Sequence, residues 1–305
     1  MEKAQEKSHH AGSLMRAISW ASVLVGIVLI AAKFFAWMMT GSVAVLSSLL
    51  DSSLDLIASI GNFFAIRHSL TPADKEHRFG HGKAEALAAL GQALFIFCSG
   101  VLLTIAAVRD FLEPMPTDKS HIAIIIIALS IPLTLALIAG QVYVARRTQS
   151  LAISADSAHY QGDLFLNLSV IISILLATQL GWVWAESLLA FIVAMFMFFS
   201  CFRIFMRSAN HLMDHELNDE RRGRIKNIIL AHPKVVNMHD LRTRRAGIQI
   251  FIQCHIELDP DMSLVEAHNI SDEVEGAVLK EFPNSEVLIH QDPAGHEDPS
   301  SLEKS

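Results

Sequence analysis

Six long apolar segments occupy the first two thirds of this 305-residue chain. Each segment is long enough for a helix of about 20 residues, the length that crosses the roughly 30 Å hydrocarbon layer of a bilayer. With 52% hydrophobic residues and a mean hydropathy of +0.39, the chain is too apolar for an ordinary soluble protein. We therefore predict an α-helical membrane protein with six transmembrane helices, at approximately residues 14–39, 42–67, 84–112, 121–145, 152–178 and 183–207.

The basic residues beside these segments predict the orientation of the chain. Cytoplasmic loops of membrane proteins carry an excess of Lys and Arg. On one side of the membrane the only basic residues are Arg109 and Lys119, so we predict that the other side is cytoplasmic. Because the number of predicted spans is even, both termini are expected on that cytoplasmic side. The first apolar segment is too long for the core of a signal peptide, so we expect it to be retained. The basic residues on the cytoplasmic side are Lys3, Lys7, Arg16, Arg67, Lys75, Arg78, Lys83, Arg146 and Arg147.

The residues after about position 210 have the pattern of a small soluble domain. Asn218 and Ser263 occupy helix-capping positions, the second within a capping box. Residues 248–258 alternate apolar and polar side chains as a half-buried strand does, and further strands are predicted at about 235–243 and 286–291. The order αββαβ predicts a small cytosolic α+β domain of ferredoxin-like or metallochaperone-like type, with helices on one face of the sheet.

The chain accordingly divides into four predicted parts. A polar N-terminal tail spans residues 1–13, a six-helix transmembrane domain spans 14–208, and a cytosolic domain spans 209–292. The remaining residues, 293–305, are polar and are expected to form a disordered tail.

Charge and cysteine content exclude several functions. The formal net charge is -7, and this acidic excess argues against a nucleic-acid partner. The three cysteines are widely spaced and form no CxxC pair, so we expect neither a disulfide framework nor a thiolate metal site.

Two of the apolar segments carry ionisable side chains four residues apart, Asp51 with Asp55 and His159 with Asp163. This spacing places each pair on one face of its helix. An ionised side chain at the bilayer centre costs roughly 2.5–3.5 kcal/mol, and a divalent metal held by four ligands from two helices would offset that cost. The alternative is a simple polar contact between helices. We predict a transport site, because intramembrane carboxylates are functional by default.

The loop between the second and third segments carries a second candidate metal site. Asp74, His77 and His81 follow the spacing D-x-x-H-x-x-x-H, and a loop can wrap three such ligands around one ion. A polar cytoplasmic loop with two solvated histidines would have the same sequence, and the spacing does not decide between the two interpretations.

The soluble domain holds a third candidate site. Eight of the fifteen histidines lie beyond residue 210, more than a general core use would require. His290 and Asp292 lie two apart on a predicted strand and point the same way. Each histidine alone is explained as a surface or core residue, but the group favours a metal site. Its predicted ligands are His239, His255, His268, His290 and Asp292.

At these residues the chain resembles the cation diffusion facilitator family, and within it the bacterial ferrous-iron and zinc efflux antiporters. The resemblance covers roughly residues 12–292. The stretches that carry it are the D-x-x-x-D of residues 51–55, the H-x-x-x-D of 159–163, the loop 72–85, and the cytosolic stretches 239–245 and 289–293.

The resemblance implies a homodimer in the bacterial cell inner membrane, with a metal site in the membrane part of each protomer. It further implies that residues 14–208 form a transport domain and that residues 209–292 form a metal-binding dimerisation domain, whose two copies pair face to face and are bridged by metal. Lys83 and Asp214 match positions that form an interlocking ion pair in such dimers.

These observations favour a metal/proton antiporter rather than an enzyme. The oxygen and nitrogen ligand set suits Zn²⁺, both as transported and as structural ion, and would tolerate Cd²⁺ or Fe²⁺. Ligands lose protons when they bind metal, and His159, whose side chain type titrates near pH 6.5, is the natural proton carrier. The expected partners are the lipid bilayer, divalent metal ions and protons. The alternative function is a membrane-anchored metal sensor or storage protein without flux.

Overall fold

The six apolar segments form six helices that are long and apolar enough to cross a membrane. The computed structural model describes residues 2–41, 43–113, 121–182 and 184–295. The helices are α1 (Glu2–Thr40), α2 (Val43–Ser69), α3 (Ala84–Leu112), α4 (His121–Thr148), α5 (Leu151–Leu180) and α6 (Ala185–Leu212).

Several helices extend beyond the predicted apolar limits. Helix α1 begins at Glu2 rather than at residue 14, so the predicted N-terminal tail is helical over most of its length. Glu, Lys, Gln and Ala are good helix formers, and neither Pro nor Gly interrupts the chain before Gly12.

Pro132 lies inside α4, a position that membrane helices tolerate because neighbouring groups satisfy the freed backbone carbonyl.

Helices α1, α2, α4 and α5 pack into a four-helix bundle, and α3 pairs with α6 beside α5. Small side chains line the contact between α3 and α5, where Ala89, Ala93 and Ala155 are buried. Small residues let helices in lipid approach closely, which compensates for the weak hydrophobic drive between them. Large apolar side chains such as Leu102 and Phe199 face outwards, as lipid contact requires.

The soluble domain follows the predicted order αββαβ. Its elements are α7 (Asp219–Leu230), β1 (Asn237–Ala246), β2 (Gln249–Leu258), α8 (Leu264–Glu281) and β3 (Ser285–Pro293). Strand β2 is central, antiparallel to β1 and parallel to β3. The N-caps are those predicted, since the Asn218 side chain accepts from Arg221 N and the Ser263 side chain from Glu266 N.

The inward face of β2 packs against the two helices. Ile252, Cys254 and Ile256 are almost fully buried against α7 and α8. Burial raises the pKa of the Cys254 thiol to about 12, which leaves it a small apolar packing residue. The opposite face of the sheet carries the histidines and is turned away from this core.

Two details of the soluble domain differ from the sequence prediction. The helical spacing of the apolar residues in α8 predicts that Leu264 is buried with Ile270 and Val274. Leu264 is instead 80% exposed, because it lies in the first turn, ahead of the part of the helix that reaches the sheet. The final strand continues to Pro293, and the N–H of Ala294 donates to Leu258 O at 2.7 Å, so residues 293–295 belong to the sheet and its following turn. Residues 296–305 lie outside the described residues.

The loop between α2 and α3 fastens the soluble domain to the membrane helices. Its Gly82 lies so close to Ala246 that a Cβ would collide with the Ala246 backbone carbonyl. Phe79 packs edge-on against Phe251, and the Arg244 guanidinium stacks on both rings. These contacts hold the loop against the β1–β2 hairpin.

One ion pair and two hydrogen bonds complete the junction between the soluble domain and the membrane helices. Nζ of Lys83 lies 2.9 Å from Oδ1 of Asp214 and donates to Leu212 O at 3.3 Å. Partial burial opposes ionisation of Asp214, but the hydrogen bond and charge of Lys83 outweigh it and lower the pKa of the carboxyl group. The ion pair between Lys83 and Asp214 forms within a single protomer. Arg245 of β1 donates to Thr148 O at the end of α4, at 2.8 Å.

Candidate metal centres

The strongest candidate centre is the intramembrane cluster, which we define as Asp51, Asp55, His159 and Asp163. Nε2 of His159 lies 2.9 Å from Oδ1 of Asp55 and 3.5 Å from Oδ2 of Asp163. One ligand atom from each of these three residues lies within 4.8 Å of the others. The spacing of four residues aligns the side chains on α2 and on α5, and the packing of the two helices brings the pairs together.

The imidazole of this cluster has one ring nitrogen directed at the carboxylates and one that is unpartnered among the described residues. His159 is buried, with a side chain only 2% exposed. Its Nδ1 has no hydrogen-bond partner in the part of the chain that the structure describes. A buried polar nitrogen is ordinarily satisfied. Two carboxylates in contact with one imidazole form the mixed oxygen and nitrogen donor set that divalent zinc, cadmium, iron and manganese accept.

Asp51 lines a cavity of about 460 Å³ within the helix bundle. Asp55 and Asp163 also line this cavity, together with hydroxyl groups such as Ser52 and Tyr160. One helical turn separates Asp51 from Asp55. The cavity therefore gives an ion a polar, three-carboxylate space within the helix bundle.

Lys33 is a member of this cavity that the sequence analysis missed. Its Nζ donates to Oγ of Ser52 at 2.6 Å and to the carbonyl O of Ser48 at 3.2 Å, which fastens the α1 side chain to α2. The ammonium group thus shares the cavity with the three aspartates. A lysine within an apolar segment is itself a signal of function by the same argument as the carboxylates, and could have been found from it.

A second missed residue, Asp156, is buried one helical turn before His159. Its carboxylate accepts from Nε2 of Gln141 at 2.7 Å and from Oγ of Ser59 at 3.4 Å. The same amide nitrogen also donates to Oγ of Ser22 at 3.0 Å. This network connects α1, α2, α4 and α5 at one level of the bundle. The carboxylate of Asp156 is therefore engaged in hydrogen bonds between helices, and Asp156 lies outside the intramembrane cluster.

The two asparagines near the cluster have different positions. Asn62 donates from Nδ2 to Ala152 O across α2 and α5, at 3.5 Å, which is the interhelical hydrogen bond expected of an amide in this setting. Asn167 instead lines the cavity, one helical turn beyond Asp163.

The loop cluster, defined as Asp74, His77 and His81, is also assembled. Oδ2 of Asp74 lies 3.3 Å from Nε2 of His81, and Oδ1 lies 3.4 Å from Nδ1 of His77. The backbone N–H groups of His77 and Glu76 donate to Oδ1 and lower the pKa of Asp74. These two hydrogen bonds fix the position of the carboxylate and favour its ionised form.

The cytosolic cluster lies on the outer face of the sheet. His239, His255 and His290 are register partners on β1, β2 and β3, so the three rings form one row across the strands. Asp292 lies beside this row, with Oδ2 at 2.8 Å from Nδ1 of His255 and at 3.4 Å from Nε2 of His239. Its Oδ1 is 3.2 Å from Nε2 of His290.

A β-bulge in β1 and an acidic residue that the sequence analysis did not predict as a ligand also shape the cytosolic cluster. The β1–β2 register shifts between His239 and Arg242, where Asp240 takes a positive φ of 48°. Such a bulge re-aims neighbouring side chains. Oε1 of Glu257, two residues after His255 on the same face, lies 3.4 Å from Nδ1 of His239. The alternation of β2 places Glu257 on this face, but its role as a candidate ligand was not predicted.

The structure does not bring His268 to the cytosolic cluster. It lies on α8 with its side chain 68% exposed, and its Nε2 is 3.6 Å from Asp272. Helix α8 covers the apolar face of the sheet, whereas the histidine row is on the other face. Spacing along the chain does not reveal which face of a sheet a helix will cover, which is why His268 was grouped with the other histidines.

Comparisons with known proteins match both halves of the chain. The family model of the cation efflux transmembrane domain matches residues 19–213. That of the cation efflux protein cytoplasmic domain matches residues 217–294.

Individual relatives match along most of the sequence. The cation-efflux pump FieF of Shewanella oneidensis is 44% identical over 279 residues, which cover 92% of this chain and 94% of that protein. FieF of Klebsiella pneumoniae is 40% identical over 283 residues, with 93% and 94% covered. Among solved structures, the metal-bound C-terminal domain of the CzcD transporter from Thermotoga maritima is 30% identical, with 27% of this chain and 100% of that chain covered and a TM-score of 0.25.

Proposed function

The chain belongs to the cation efflux family, and on this premise we propose that it exports Zn²⁺, and also Cd²⁺ and Fe²⁺, from the cytoplasm in exchange for protons. The family is one of divalent metal efflux transporters, and the protein is a multi-pass membrane protein. The choice of metals and the coupling to protons are the proposal.

The observation that carries the proposal is the contact between His159 and two aspartates inside the helix bundle. Nε2 of His159 is 2.9 Å from Asp55 and 3.5 Å from Asp163, at a depth where ionised groups are costly. A protein that only senses or stores metal has no need of ligands within the bilayer. A transporter has that need, because alternating access exposes one central site to each side in turn.

The charges in the cavity support an exchange of metal for protons. If the three aspartates and Lys33 that line the cavity are ionised and His159 is neutral, these groups together carry two net negative charges. One divalent cation or two protons would neutralise that charge. Metal loading and protonation are then alternative ways of making the same cavity neutral, which links the two events.

The imidazole supplies the titrating group. A protonated imidazolium cannot coordinate metal, and histidine is the side chain whose ordinary pKa lies near neutrality. We propose that metal arriving from the cytoplasm displaces protons from His159 and its carboxylate neighbours. Protons arriving from the other side then release the metal.

The loop and cytosolic clusters are proposed to hold structural Zn²⁺. Their donor sets fit, since each combines imidazole nitrogens with a carboxylate. Each also contains a buried nitrogen without a hydrogen-bond partner among the described residues, Nδ1 of His81 and Nε2 of His239. When bound, zinc would crosslink the side chains around it, which lets these clusters stiffen the junction and the sheet.

The assembly and orientation follow the same proposal. We place the protein in the inner membrane of a bacterium, with both termini in the cytoplasm, because Lys and Arg accumulate on that side. We further propose a homodimer that pairs through the cytosolic domains, with the metal-binding face of the sheet near the partner.

Flux measurements on the reconstituted protein test the function. Vesicles containing a pH-sensitive dye would be exposed to one metal at a time. The proposal expects Zn²⁺ uptake accompanied by proton movement in the opposite direction. Metal flux without a pH change would indicate facilitated diffusion, and metal binding without flux would indicate a sensor or storage protein.

A further inference from the structure

His68, near the end of α2, lies against the loop cluster although the spacing of that motif does not include it. The centroids of the His68 and His81 rings are 4.5 Å apart. The centroids of the His77 and His81 rings, both within the motif, are 4.6 Å apart. His81 therefore has two imidazole neighbours at nearly equal distance, one from the loop and one from the helix.

These separations match those of imidazoles that share one ion. With metal–nitrogen bonds of about 2.0–2.1 Å and tetrahedral angles, two imidazoles on one zinc have ring centroids about 5 Å apart. The rings of His68 and His81 are inclined at 60° and those of His77 and His81 at 47°, so neither pair is stacked in parallel. By this measure His68 is placed as well for coordination as His77 is.

The surroundings of His81 indicate a missing partner. Its side chain is only 7% exposed, and its Nδ1 has no hydrogen-bond partner among the residues that the structure describes. Its other nitrogen faces Asp74. Buried imidazole nitrogens are ordinarily satisfied, so the His81 ring can accept a further partner that the described residues do not supply.

The backbone beside His68 is held while its side chain is free to adjust. The carbonyl O of His68 accepts from Thr71 N at 3.0 Å and from Thr71 Oγ1 at 2.6 Å, which closes the turn after the helix. The side chain itself is exposed. In the present rotamers the ligand atoms within 4.8 Å of one another are those of Asp74, His77 and His81. Coordination by His68 would require a rotation about its side-chain bonds that turns a ring nitrogen toward these atoms.

We propose that His68 is the fourth ligand of the loop cluster, giving a closed site of three imidazoles and one carboxylate that takes Zn²⁺. This inference rests on the proposed binding of metal by the loop. Four protein ligands are typical of structural zinc, whereas three with an open position are typical of exchangeable or catalytic zinc. The closed site would join the cytosolic end of α2 to the loop that packs on the β1–β2 hairpin.

Co²⁺ substitution in the full-length protein in detergent tests the assignment. Four-coordinate Co²⁺ absorbs visible light far more strongly than five- or six-coordinate Co²⁺. The variants are His68→Ala, His77→Ala and their combination, with His215→Ala as control because His215 is exposed and outside all three clusters. Melting temperatures in a chelator would check that the metal-free variants are equally folded.

The expected result in His68→Ala is the loss of one site's share of the visible absorption, and Zn²⁺ binding at one site that is weaker by at least about tenfold. The combination with His77→Ala should add little, because both remove ligands of one ion. His68→Cys should retain the site and add a thiolate-to-cobalt charge-transfer band. That band would place residue 68 on the metal directly.

Two outcomes would overturn the inference, and they are distinguishable. If His77→Ala changes the spectrum but His68→Ala matches His215→Ala and His68→Cys gives no new band, the loop binds metal without His68. If neither His68→Ala nor His77→Ala changes the spectrum or the affinity, the loop cluster is not a metal site at all.

Discussion

Nε2 of His159 on α5 lies 2.9 Å from Oδ1 of Asp55 on α2, and this contact joins the two helices that carry the intramembrane cluster. Under the proposed function, a metal bound at this point would replace the contact by one bond to each side chain. Loading and release of the ion would then change the contact between α2 and α5, which would let the helices respond to occupancy.

Replacing Asp163 with Ala should abolish zinc transport while leaving the protein inserted. Removal of a ligand breaks the coordination shell, and loss of a membrane-buried charge does not hinder insertion. Since altering only the residues behind a ligand typically costs 10–100-fold, we expect a loss of roughly 100-fold or more. Zinc uptake by reconstituted vesicles is the measurement.

The matched control for this variant is Asp110→Asn. Asp110 is a second membrane-helix carboxylate, but it accepts a hydrogen bond from Ser187 at 2.6 Å and lies outside the cluster. Transport should survive that change. Normal zinc uptake by Asp163→Ala would instead show that the cluster is not the transport site.

Replacing Lys33 with Gln should tighten metal binding and slow turnover. The variant removes the positive charge that shares the cavity with three aspartates, so a bound cation is held by a more negative site. We expect zinc affinity to rise about tenfold, equivalent to about 1.4 kcal/mol. Calorimetry and vesicle flux, with Lys33→Arg as the charge-preserving control, would measure both effects. Unchanged affinity in Lys33→Gln would mean that the ammonium does not act on the ion.

Changing Asp51 to His should shift the metal preference toward Zn²⁺ and away from Cd²⁺. Imidazole nitrogen suits zinc, and Asp51 lines the cavity together with Asp55 and Asp163. The measurement is the ratio of Zn²⁺ to Cd²⁺ transport rates, compared between the variant and the natural protein. If the ratio does not change, selectivity is set outside this group of side chains.

An acid interior should drive metal into inside-out vesicles against its own gradient. Low pH inside protonates His159 and its neighbours on the release side, so that incoming protons displace the ion. Raising the pH outside should tighten loading there, because fewer protons compete for the ligands. The interior metal concentration is compared with that of the bath. Equilibration without accumulation would contradict antiport and leave the site assignment standing.

The soluble fragment from about residue 212 should dimerise and bind Zn²⁺ through the cytosolic cluster. It contains its own buried core, and the histidine row needs all three strands in register. A His255→Ala, Asp292→Ala double variant should lose the site, whereas His268→Ala on α8 should retain most of the affinity. Calorimetry and sedimentation measure affinity and oligomeric state. Equal affinity in the double variant would identify the row as ordinary surface histidines.

Much of the architecture was predictable because its causes are local. Apolar runs long enough for a bilayer gave the six helices, and the capping side chains of Asn218 and Ser263 marked where α7 and α8 begin. The side-chain positions within a helix follow from its period, so the pairing of Asp51 with Asp55 needed no tertiary information. Boundaries were less predictable, since polar residues of good helix propensity extend α1 to Glu2.

The sequence by itself determined which candidate ligands lie at a fixed spacing on one helix or strand. The packing of helices and strands decided which of these residues share a site. Lys33 enters the cavity lined by Asp51, Asp55 and Asp163 because α1 packs on α2. His68 meets His81 because the loop folds back on the helix end. His268 is excluded from the histidine row because α8 covers the other face of the sheet. Helical and strand periods act over a few residues, but contacts between distant segments depend on how whole surfaces fit together, which no local spacing records.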